Sequence, residues 1–107
     1  MKFLHGDSIV DRWQRMTLDE QLGNIGSEVS RAGLAQGKNE TRFNGAVARA
    51  LELFDLTLSD MRWRGRLLEI GRARDVFCDA VLGGQEYGSN LLDIQKYFDQ
   101  FAHAALK

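Results

Sequence analysis

Proline is absent from the 107 residues, cysteine occurs once and histidine twice. Without proline, nothing in the chain forces a kink or a break on a helix. A single cysteine excludes an internal disulfide and a cysteine-based zinc site. His5 and His103 lie near opposite ends, with no carboxylate or cysteine at ligand spacing, so no metal site is expected from them. No apolar run approaches the length of a membrane span. Neither sign of charge dominates: 14 Lys and Arg stand against 15 Asp and Glu, a net charge of −1. The chain as a whole therefore has no strong pull on nucleic acid or on an anionic membrane. P-loop, dinucleotide and G-x-S-x-G fingerprints are missing as well. The opening MKFLHGD soon turns polar, so no signal peptide is expected, and a cytoplasmic location follows.

What is present points to helices. Apolar residues recur at three- and four-residue spacing, nothing alternates with period two, and the β-branched residues are few and scattered. Thr17-Leu18-Asp19-Glu20 is a capping box, with a hydroxyl at the cap and a glutamate three residues on. The helix it opens runs to about Gln36 and stops at Gly37, with Leu18, Leu22, Ile25, Val29 and Ala32 on one face. Asn39 caps the next helix, 40–58, whose stripe is Phe43, Val47, Ala50, Leu51, Phe54 and Leu58. Ser59-Asp60 caps a third over 61–82. Asn90 caps a fourth over 91–106, with Leu91, Ile94, Phe98, Phe101 and Ala105 inward and Tyr87 of the preceding loop packing back. Ahead of these, Asp7 or Ser8 opens a short helix with Ile9, Trp13 and Met16 along one edge. The expected fold is all-α: one domain over 1–107, an up-down-up-down four-helix bundle with residues 1–16 as an N-terminal helical arm.

The helix over 61–82 carries an anomaly. Trp63, Leu67, Ile70, Phe77, Cys78 and Val81 share a face, and Arg74 falls near its centre. Either Arg74 lays its methylenes on the core and reaches water with its head, or it is buried against a carboxylate. Counting helical layers from the turns sets Glu28, Ala48, Arg74 and Asp99 at similar heights. Glu28 is the first choice of partner and Asp99 the second.

Three kinds of function remain open. The first is protein association without catalysis, most simply as a homodimer. The first long helix carries a strip of small residues that includes Gly23, Gly26, Ser30 and Gly33. Glycines inside a helix cost about 1 kcal/mol each relative to alanine, and close helix–helix contact, within the bundle or across a dimer, is the common compensation. That strip and the arm residue Trp13 form the candidate association surface. The second is nucleic-acid binding through Arg62, Arg64 and Arg66, with Trp63 alongside to stack on a base; the same run of arginines can instead meet Asp55, Asp60 and Asp79. The third rests on carboxylates. Glu52 and Asp55 form an E-x-x-D, and with Glu20 and Glu28 on the preceding helix the pattern resembles that of the all-α nucleotide pyrophosphohydrolases of the MazG-like group. The resemblance implies magnesium held by Glu20, Glu52 and Asp55, and hydrolysis of nucleoside triphosphates between the α and β phosphates. The pattern departs from that group at Gly23, where a further glutamate would stand, and at Asp19, which replaces the first one. No cofactor is implied outside this third case. The stretches EQLGNIGSEVSRA (20–32) and RALELFDLTLSDMRWRGRLLEIGRARDVFCD (49–79) also resemble small prokaryotic four-helix-bundle proteins, which implies the fold and no activity.

Overall fold

The computed structural model describes residues 4–83, 88 and 90–105, with side chains from Ile9 onward; the expectation for Tyr87 lies outside them, as does the side chain of His5. All regular structure among the described residues is helical: α1 (Leu4–Gln14), α2 (Leu18–Ala35), α3 (Glu40–Leu58), a 3₁₀ segment (Met61–Arg66), α4 (Leu67–Val81) and α5 (Leu91–Ala105). The helices pack on one another as in a helical bundle. None of the described helices is long and apolar enough to cross a membrane.

The capping chemistry is where the side chains place it. Thr17 Oγ1 accepts from Glu20 N at 3.1 Å while Glu20 Oε1 accepts from Thr17 N at 2.8 Å. Asn39 Oδ1 accepts from Arg42 N at 3.0 Å, opening α3. Between α2 and α3 the chain reverses at Gly37, whose φ of 77° is a conformation that only glycine adopts without strain. α1 starts at Leu4, ahead of the Asp7 or Ser8 cap expected for it.

α2 is the spine. It packs most extensively on α5 and α3, while α4 is held more lightly by α3 and α5. Phe54 of α3, Phe77 of α4 and Phe98 of α5 are each fully buried. Their rings meet in tilted and edge-on pairs, with centroids 5.8 Å apart for Phe54–Phe77 and 5.7 Å for Phe54–Phe98. α2 contributes no ring at this level. It contributes the space for one: a Cβ on Gly26 would stand 2.7 Å from Cβ of Phe98, and one on Gly23 would stand 3.0 Å from Cα of Ala102. The small-residue strip is thus the seat of α5 in the same chain. Trp13 is likewise spent internally, 5% exposed against the core. These two contacts correct the assignment of Gly23, Gly26 and Trp13 to a surface for association. Ser30 is half-buried on α2, and Gly33 is exposed.

The main departure from expectation is at 61–66. A continuous helix from the Asp60 cap was expected; the chain instead forms a 3₁₀ segment in which Trp63 leaves helical geometry (φ −103°, ψ 24°). Two forces favour the break. Asp60 holds both the backbone N and the guanidinium of Arg62, and the Trp63 indole is drawn to Gln21 of α2. Gly65 offers little resistance to it.

Two neighbouring glycines should respond in opposite ways. Gly26→Ala gains helix propensity but must displace Phe98, so it should destabilise by about 1–2 kcal/mol net. Gly33→Ala meets only Leu91 Cβ at 3.6 Å, and should stabilise by up to about 1 kcal/mol. Urea midpoints of the two variants check both signs.

Candidate functional site

Three places gather polar or unpartnered groups. The first is a buried node where α1, α2, α3 and the 3₁₀ segment meet. Gln21, fully buried, donates from Nε2 to the Trp13 carbonyl (2.8 Å) and to Asp60 Oδ2 (3.2 Å), and accepts at Oε1 from Trp63 Nε1 (2.8 Å). Trp13 Nε1 donates to Thr57 Oγ1 at 3.0 Å, and that hydroxyl donates to the Leu53 carbonyl at 3.0 Å. Asp60 is 3% exposed and takes Arg62 Nη2 at 2.7 Å. Hydrogen bonds from the Arg62 side chain hold the Asp60 carboxyl down at about 2; burial opposes the shift, and the Arg62 backbone N–H and Gln21 add to it. An unsatisfied buried polar group costs about 1–3 kcal/mol, and none occurs among the described side chains. The node is therefore closed on itself. Each donor faces an internal acceptor, which suits a latch that fixes the arm and the 3₁₀ segment.

The second place is the hairpin of α2 and α3. Glu28, 8% exposed, accepts from Arg31 Nη1 at 2.7 Å and Arg49 Nε at 3.2 Å. The two guanidiniums lean out from it into a groove of about 680 Å³, which Lys38 and Arg42 also line. Layer counting found the right height on α3, since Arg49 is next to Ala48. It chose the wrong cation. Arg74 does not reach Glu28; its Nε bonds Asp55 Oδ1 at 3.2 Å, with its side chain 32% exposed. The helix expected over 61–82 is broken at Trp63, so heights read along one continuous helix do not hold beyond it, and Arg74 comes level with Asp55. Asp99, the second choice, is exposed on α5 and makes no ion pair among the described residues. Burial pushes the Cys78 thiol up from its usual value, against the nearby Arg74 charge.

The third place is an apolar groove of about 340 Å³ between α4 and α5, with Ala73 and Val76 on one wall and Ile94 and Tyr97 on the other. Arg72 and Asp93 lie on its opposite edges, and neither makes an ion pair among the described residues. Leu68, 81% exposed, stands one turn before Arg72 on α4.

The other anticipated groups are dispersed. Of the arginines proposed for nucleic acid, Arg62 is bound to Asp60 and stacks over Trp63 at 4.5 Å, Arg66 Nε bonds Glu69 at 2.9 Å, and Arg64 is exposed and makes no ion pair among the described residues. Trp63 is half-buried, with its N–H committed to Gln21 and one ring face under the Arg62 guanidinium. Glu20 is engaged in its capping box, Glu52 is exposed, and Asp55 serves Arg74. Among the described residues no three His, Cys, Asp or Glu side chains come together in a way that could hold a metal ion. The magnesium site implied by the pyrophosphohydrolase resemblance is thus not assembled from Glu20, Glu52 and Asp55. The node and the basic groove escaped sequence reasoning. The signal for the node was Gln21, an amide beside Leu18, Leu22 and Ile25 on an apolar face. The groove had no local signal, because its cations come from two helices and the turn between them.

Comparison of the chain with protein-family models, with curated proteins and with solved structures finds no match.

The Asp60 pairing has a pH signature. Because the folded-state value lies near 2, below the usual value of about 3.9, the carboxylate stabilises the fold above pH ~4 and loses that contribution as pH falls towards 2. Asp60→Asn should cost about 1–2 kcal/mol at neutral pH, discounted for screening at the half-exposed Arg62. Urea midpoints of the two proteins should converge between pH ~4 and ~2. A gap that persists unchanged through that range would assign the effect to shape.

Proposed function

We propose that this protein is a non-enzymatic association module that pairs with a second copy of itself through the α4–α5 face. The observation that carries the proposal is the unclosed apolar groove with Arg72 on its α4 edge and Asp93 on its α5 edge. A two-fold interface presents the same patch from both subunits, so the patch must complement itself. A face with an apolar floor and one unpaired charge of each sign on opposite walls has that property. Pairing it sets Arg72 of each chain against the partner's Asp93 and covers Leu68 and Tyr97. Large apolar side chains exposed together near a groove mark such surfaces far better than the same residues scattered singly.

Charge reversal tests this. Light scattering on a size-exclusion column over a dilution series should give a dimer for the unmodified chain. Arg72→Asp, which sets like charges against each other twice, should weaken dimerisation at least about tenfold. The double variant Arg72→Asp with Asp93→Arg should restore it. A monomer at every concentration, or a double variant no tighter than the single one, would rule this interface out.

A further inference from the structure

The α2–α3 groove carries a second proposal, independent of dimerisation. We propose that it is a binding site for a small molecule bearing a phosphate chain, a diphosphate or longer, held by Arg31, Arg49, Lys38 and Arg42.

Four cations line this groove and no carboxylate is among its lining; Glu28 beneath it holds two of them. Side chains of like charge do not converge without compensation, and Glu28 supplies it for just two of them. Its carboxylate takes Nη1 of Arg31 and Nε of Arg49. A guanidinium is a rigid fork with several more N–H groups, so most donors of both remain available to the groove. The buried carboxylate therefore orients the two forks and limits the entropy a ligand must remove on binding. Lys38 and Arg42 add two charges whose side chains make no ion pair among the described residues. Thr41 contributes a hydroxyl, and the start of α3 adds the positive end of its dipole.

The lining also selects the class of ligand. Its apolar members are Leu34 and Ala35, and no aromatic ring is present to stack on a base. Binding of single-stranded nucleic acid ordinarily combines cations with such rings. The volume suits a small molecule. Four cations exceed what one phosphate group would match and fit a chain of two or more. Gly45 sits at the wall inside α3, where a Cβ would lie 3.5 Å from Arg49 Nη1, in ordinary contact. A larger side chain there fits the helix but occupies the groove.

The test is titration of the full chain with inorganic pyrophosphate, followed by amide NMR and calorimetry. The expected result is saturable binding that shifts amides over residues 37–45 and weakens with salt. Arg42→Glu should reduce affinity about tenfold or more. Gly45→Leu, which improves helix propensity, should block binding while the thermal midpoint is kept. The absence of saturable shifts at millimolar pyrophosphate would overturn the proposal. So would shifts spread equally over the Arg62–Arg66 segment, or unchanged binding in Gly45→Leu. An oligonucleotide that binds this groove without competition from pyrophosphate would overturn it too, in favour of a polymer surface. None of these outcomes bears on the dimer, because the two sites share no residue.

Discussion

Phe98 rests against a residue with no side chain, and much of the architecture depends on that. With Gly26 beneath it, α5 approaches α2 closely enough for Phe98 to reach the centre of the molecule and meet Phe54. Phe77 then completes the buried group from α4. Three large rings in one layer need a neighbour that gives up volume, and α2 supplies it. The glycine's helix-propensity cost of about 1 kcal/mol is offset by burial of rings worth about 1.5–3 kcal/mol each. This also explains why α2 and α5 make the most extensive contact in the fold.

The consequence for function is a molecule with one sealed end and one open face. At the sealed end, Trp13, Gln21, Thr57, Asp60 and Trp63 satisfy one another's hydrogen bonds. Such a fully satisfied network specifies geometry rather than chemistry, since no donor is left for a ligand. At the open face, α4 follows the 3₁₀ segment and meets α5 along a groove. The capture of Arg62 by Asp60 and of Trp63 by Gln21 locks one end, while Leu68 and Tyr97 stay exposed at the other face.

Much of the helical content was legible because its signals are local. The Thr17–Glu20 box, Asn39, Gly37 and the stripes of α2 and α5 depend on spacings of one to four residues, and the structure places them accordingly; on α3 the buried face is Ala46, Ala50, Phe54 and Thr57, so the expected stripe is only partly right. The expected continuity of 61–82 failed because local pattern does not register a competing tertiary bond. Nothing near Trp63 announces that its indole N–H will find an amide forty-two residues away. The Arg74–Glu28 pairing failed for the same reason at one remove, as the error in the start of the helix passed into the layer count. The meeting of Arg62 with Asp60 and of Arg74 with Asp55 was open to sequence reasoning, since these partners are near in sequence or across one turn. The glycine strip was legible as a site of close contact, but its partner, α5 of the same chain, was not.

Glu28 shows how a structural role and a binding role can coincide. A carboxylate at 8% exposure is costly without a cation and nearly neutral with one, so the fold alone requires one of Arg31 and Arg49 there. Yet a single carboxylate cannot neutralise two guanidiniums, and the half-exposed heads of both, with Lys38 and Arg42 around them, leave the α2–α3 groove with excess positive charge in a chain of net charge −1. Charge needed only for the pairing would end at one arginine. The excess is what a phosphate chain would neutralise, and it arises at a hairpin whose register is already set by Glu28.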